Sequence, residues 1–142
     1  MVTTAERTNT KDMSLLIFAV GAMGYSTLEY LFRGYTHWSM ALTGGACLLV
    51  FYYYAKARPH ASLLSRAGAG ALIITVFEFC VGLLVNRWYG WHVWDYSELP
   101  GNIMGQICPL FSFLWFLLCL MIVLISDWIQ SIYNMVRSRQ QG

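Results

Sequence analysis

Four stretches of this chain are long and apolar enough to cross a bilayer, and no other feature limits its fold so strongly. They run roughly from Ser14 to Phe32, Trp38 to Ala55, Ala67 to Asn86 and Ile103 to Ser126. A spanning helix needs about 20 mostly apolar residues. In hydrocarbon a backbone must close its own hydrogen bonds, so each stretch reads as α-helix. Composition agrees: 58% of the 142 residues are hydrophobic and 11% are charged, against about 25% charged in a typical soluble domain. A soluble enzyme and a disordered regulator are excluded on that ground. A nucleic-acid binder is excluded by the formal charge of +2 and the lack of any Lys/Arg run. The fold class is an all-α membrane protein with four transmembrane helices, residues 14–126, between tails 1–13 and 127–142.

Basic residues orient those helices. With four spans, the two tails and the loop after the second span share one face, which holds Arg7, Lys11, Lys56, Arg58, Arg66, Arg137 and Arg139. The other face holds Arg33 and Arg87 alone. Seven against two places both termini in the cytoplasm. A cleaved signal peptide is the competing reading of the first span, with Arg7 and Lys11 as its basic region. Ser14 to Phe18 is too short for its apolar core, so the span is expected to be retained.

Between the third and fourth spans, residues 87–101 carry Trp88, Tyr89, Trp91, Trp94 and Tyr96. Trp and Tyr settle at the headgroup layer, because the ring is apolar and its polar atom wants a wet partner. This connector is expected to be interfacial or partly re-entrant. Asn102 is the expected N-cap of the fourth helix, and Pro109 falls in its first two turns as a potential kink.

Two glutamates lie within the spans, where a charge costs several kcal/mol, so each is a functional candidate by default. Glu29 shares a helical stripe with Ala22, Ser26 and Arg33, and Arg33 stands at i+4, in reach of an ion pair. Glu78 shares a stripe with Ala71, Thr75, Gly82 and Asn86. At about 1.5 Å per residue, Glu78 sits roughly 12 Å below the outer end of its span. There it must be protonated, paired or bound to a cation. The surroundings of the two glutamates look alike. Leu28-Glu29-Tyr30, Arg33-Gly34-Tyr35 and His37-Trp38 align with Phe77-Glu78-Phe79, Arg87-Trp88-Tyr89-Gly90 and His92-Val93-Trp94. A parallel two-helix repeat about an axis along the membrane normal would produce that match.

Further polar residues collect at the outer end. Asn86, Asn102 and Gln106 join Glu78, Glu29 and Arg33 as a candidate proton, cation or substrate site. His37, Arg87, His92, Trp94 and Asp95 form a candidate outer polar cap. The two groups read either as a vestibule or as a hydrogen-bonded lid over the helices. No G-x-x-x-x-G-K-[ST], G-x-S-x-G or H-E-x-x-H motif is present, and no catalytic, metal or cofactor set is assigned. Glu78, His92 and Asp95 form an acid–base set only if the fold brings them together.

The run Glu29-Tyr30-Leu31-Phe32-Arg33-Gly34-Tyr35-Thr36-His37-Trp38-Ser39-Met40, followed by Thr43-Gly44-Gly45, resembles the ABC-transporter type IV family of small bacterial membrane proteins. So do Phe77-Glu78 through Asn86, Val93-Trp94-Asp95-Tyr96-Ser97, Pro100, Asn102 and Gly105-Gln106-Ile107-Cys108. The resemblance implies a multi-pass permease of the bacterial inner membrane. Without a nucleotide-binding loop, an ABC role requires a separate ATPase. Four spans also enclose little room, so transport calls for a homo-oligomer or another membrane subunit. The leading expectation is a transport-type protein with an intramembrane Glu as proton or cation site, partnered by the lipid bilayer and by no nucleic acid. The alternative is a sensor or accessory subunit that docks a partner through its Trp-rich connector.

Overall fold

The computed structural model describes residues 4–140. Residues 1–3 and 141–142, the ends of the two expected tails, lie outside the described residues. The elements are α1 (Thr4–Arg33), α2 (Trp38–Ala57), α3 (Leu63–Gly82) with a π-helical continuation over Leu83–Trp88, and α4 (Pro109–Gln140). Among the described residues there is no strand beyond an isolated bridge between Ile103 and Ile107.

Local chemistry sets most helix ends. α1 stops where Gly34 turns left-handed (φ 75°) and donates its N–H to Tyr30 O at 2.8 Å, a conformation that glycine adopts without a Cβ clash. The imidazole of His37 caps α2 by accepting from Ser39 N, and Ser62 caps α3 by accepting from Ser65 N. α4 differs from the sequence expectation. It begins at Pro109 rather than near Ile103, because Gly101, Met104 and Gly105 have φ of 70°, 54° and 71°, which no α-helix can contain. Asn102 therefore caps no helix. Its Nδ2 donates to Ser97 O and Leu99 O, and its Oδ1 accepts from Gly105 N. Pro109 opens α4, where its missing N–H leaves no bond unmade.

The helices pack in chain order, each antiparallel to the next. Ser14 meets Tyr53 at 2.6 Å, where the N-terminal half of α1 lies beside the C-terminal end of α2. A Cβ on Gly21 would stand 2.5 Å from Gly44 O, so these two glycines let the backbones of α1 and α2 touch. Tyr54 and Ser65 join α2 to α3 at 3.5 Å. Thr75 donates to Ser112 at 3.1 Å between α3 and α4, and both Asp127 carboxylate oxygens accept from Arg66 at 2.9 Å. α1 and α4 do not close the ring: backbone packing joins only consecutive helices. They meet through side chains, with Tyr25 stacked on Trp115 at 5.5 Å between ring centroids.

Among the described residues, three helical stretches are long and apolar enough to cross a membrane: Thr10–Arg33, Leu63–Trp88 and Pro109–Arg139. α2 is not among them, since Ser39, Thr43, Gly44, Gly45 and three consecutive tyrosines dilute its apolar run.

Candidate functional site

Glu78 is the most enclosed ionisable side chain of the site, 2% exposed at the centre of the helices. The stripe that carries it faces inward: Ala71, Gly82 and Asn86 are buried and Thr75 is half-buried. Its carboxylate takes one hydrogen bond on each oxygen. Tyr25 of α1 donates its hydroxyl to Oε1 at 3.1 Å, and Trp115 of α4 donates its indole N–H to Oε2 at 2.9 Å. Both donors are neutral. Arg33 acts on Glu78 electrostatically but forms no ion pair with it.

Glu29, one turn before the end of α1, is solved differently. It is 7% exposed and pairs directly with Arg33, as the i,i+4 spacing anticipates. Its second oxygen accepts from the Thr36 hydroxyl at 2.8 Å. Arg33 also donates Nη1 to Val93 O at 2.9 Å, which ties α1 to the connector. Arg87, which the sequence alignment sets opposite Arg33, is exposed and makes no ion pair among the described residues.

Beyond Glu78, at the end of α3, the connector and residues 102–106 fold into a hydrogen-bonded lid. Asn86 donates Nδ2 to Gln106 Oε1 at 2.9 Å and accepts from Val93 N at 2.7 Å. Gln106 donates Nε2 to Met104 O, and its own carbonyl accepts the Trp94 indole N–H at 2.9 Å. Gly82 gives this lid its seat: a Cβ there would collide with Gln106 Oε1 and stand 2.9 Å from the Trp94 ring. No buried side-chain polar atom is left without a partner among the described residues, so the lid is complete by itself. Asp95 lies at its surface, where the Ser97 hydroxyl and backbone N–H hold the carboxyl below its usual range. His92 is exposed beside it with φ 49°. Neither His92 nor Asp95 bonds to Glu78, so the three do not form one acid–base set.

Residues 40–141, more than half of the chain, match the sequence pattern of a family described as Putative ABC-transporter type IV. The chain belongs to that family. The matched segment of this type IV protein contains Glu78, the lid and Trp115, whereas Tyr25, Glu29 and Arg33 lie before it. No curated protein and no solved structure matches the chain.

Within the type IV protein, Tyr25 and Trp115 are the site residues that the sequence reading did not single out. A signal for both exists. Each is an aromatic with a polar atom placed inside an apolar helix rather than at its end, and a buried phenol or indole needs a partner. Glu78 supplies it for both. Tyr25 and Trp115 also line a groove between α1 and α4. One segment of about 400 Å³ runs from Arg33 and Tyr96 past Leu28. A second segment of about 510 Å³, with Gly44 and Cys47 of α2 and Gly70 of α3 in its lining, continues past Gly24 to Val20 and Ile122.

Proposed function

We propose that this chain is a four-span, oligomeric membrane subunit of a bacterial inner-membrane transport system, with Glu78 as its proton-carrying group. One observation carries the reading: a carboxyl 2% exposed is bonded by two neutral donors and by no cation. The chemistry of those donors suits a group that gains and loses a proton. An indole N–H only donates, so Oε2 is an acceptor in both protonation states. A phenol both donates and accepts, so an acid proton on Oε1 keeps its bond to Tyr25 when the hydroxyl turns. The site thus holds either form with little rearrangement.

Membership in the type IV family supports a transport role. The chain lacks a nucleotide-binding loop, so an ATP-driven role assigns hydrolysis to a separate ATPase. The antiparallel pairing of α1 and α2 supports four spans. From Ser14–Tyr53 to Tyr25–Gly44 the two helices run side by side, so α2 shares the depth that α1 crosses. Both termini then lie on the cytoplasmic, Lys/Arg-rich side. Reporter fusions at Gly142 and within residues 87–101 give opposite sides in this arrangement, and matching sides overturn it.

Infrared titration of the purified protein tests the proton site. A buried protonated-carboxyl band should appear and disappear with pH in the wild type and be missing in Glu78→Gln. An unchanged band set in that variant removes Glu78 from the role. The accessory-subunit reading has its own support, since Trp88, Tyr89 and Trp91 are 83%, 57% and 43% exposed on the connector. It predicts that Trp88→Ser abolishes partner capture while leaving the Glu78 band unchanged.

A further inference from the structure

The groove between α1 and α4 has an occupant of definite chemistry. We infer that it binds one membrane phospholipid, with an acyl chain along Leu28, Gly24 and Val20 and the phosphate at Arg33.

Four observations lead there. First, α1 and α4 are the helix pair left without backbone packing at the open side of the bundle, so the groove opens sideways into the bilayer. Second, it is apolar along most of its length and polar at one end, where Glu29, Arg33 and Tyr96 line the mouth. That is the polarity of an amphiphile. Third, from Arg33 to Val20 the groove follows α1 for about 20 Å at 1.5 Å per residue. One leaflet is about half of a ~30 Å hydrocarbon core, or about 15 Å, so a chain entering at headgroup level follows most of the slot. Fourth, the guanidinium has five N–H donors. Arg33 commits Nη2 to Glu29 and Nη1 to Val93 O while its side chain stays 28% exposed. Donors remain for an oxyanion arriving from the headgroup layer.

A helix from a second copy fits less well. The segments here hold about 400 and 510 Å³, within the ~300–1,000 Å³ of small-ligand pockets. The Tyr25–Trp115 stack also bridges the two helices and limits how deeply any partner helix can enter.

The inference deepens the transport reading by naming the molecule class that reaches the cavity beside Glu78. It rests on that reading only through Tyr25 and Trp115, which serve both. Gly24 provides the test, because a Cβ built on it meets nothing within 4 Å and a larger side chain would fill the slot. The probe is phosphatidylethanolamine with a diazirine at the end of one acyl chain, incorporated into nanodiscs with the full-length protein. Photolabelling of the wild type should concentrate on groove residues such as Gly24 and Leu118 rather than on outward residues such as Leu31 and Leu72. Gly24→Phe should lower groove labelling by at least about tenfold, a loss of about 1.4 kcal/mol in binding, with an unchanged melting temperature. A diacylglycerol bearing the same chain should label the groove about tenfold less than the phospholipid. Labelling spread evenly over outward faces overturns the proposal, as does equal labelling of wild type and a folded Gly24→Phe. If Gly24→Phe fails to fold, the wild-type labelling map alone decides. Equal labelling by the diacylglycerol removes the phosphate from the assignment. Glu78→Gln should keep the labelling pattern even if its infrared titration contradicts the proton role, so the two readings fail separately.

Discussion

Glu29 and Glu78 are two buried carboxylates in one small helical protein, and they are satisfied by opposite means. Glu29 has a full cation one turn away on its own helix and a hydroxyl from the turn that follows. Glu78 has only neutral donors, one from each of two other helices. On the proposed reading, the difference separates a structural from a functional use of the same side chain. A charge paired on its own helix is locked, since protonating Glu29 would strand the Arg33 cation. A carboxyl held by a phenol and an indole is bonded in either protonation state.

The largest expected effect comes from breaking the locked pair. Arg33→Ala strands a buried carboxylate, and removing one member of a buried pair costs about 3 kcal/mol or more. The double change Glu29→Gln with Arg33→Met should lose less than Arg33→Ala alone in a detergent melting series. Additive losses would mean that the pair is not coupled.

Next comes Trp115→Phe, which keeps the stacking ring and removes the shorter of the two bonds to Glu78. A loss of about 2 kcal/mol fits a hydrogen bond to a buried carboxyl, and the infrared carboxyl band should move. A melting temperature and band identical to wild type would show that the indole does not hold Oε2. Tyr25→Phe removes the longer bond, at 3.1 Å, and should cost about 1 kcal/mol. Its sharper signature is the band's position when protonated, because the phenol is the partner that can accept. The comparison fails if Tyr25→Phe and Trp115→Phe perturb the protonated band alike.

Asp95 supplies the smallest effect and a surface contrast to both glutamates. Ser97 holds its folded-state pKa below the ordinary value of 3.8. A depressed carboxyl pKa adds stability that is present above 3.8 and lost as pH falls through the folded value. Acid melting of the wild type should therefore show a small extra loss below that pH, and Asp95→Asn should flatten it. Parallel curves for the two proteins would remove Ser97 as the cause.

Relations that repeat with the helix period are legible in the order of residues alone. The spacing of Ala71, Thr75, Glu78, Gly82 and Asn86 was enough to put Glu78 on an inward stripe, and an i,i+4 step was enough to pair Glu29 with Arg33. These relations hold in any α-helix, because rise and rotation per residue are properties of the backbone. Family membership was legible for a similar reason, since it rests on residue order in the matched stretch. Tertiary structure alone decided which side chains from other helices reach those stripes. Tyr25 stands 53 residues from Glu78 in sequence and Trp115 stands 37 away, and an indole within an apolar run signals that it needs a partner without naming which one. It also decided that Asn102 ties a left-handed loop instead of capping a helix, because glycines at 101 and 105 permit the turn and the lid completes it. The open side between α1 and α4 belongs to the same class. Whether a bundle closes depends on the girth of the side chains that meet there, and the Tyr25–Trp115 stack keeps these two helices apart.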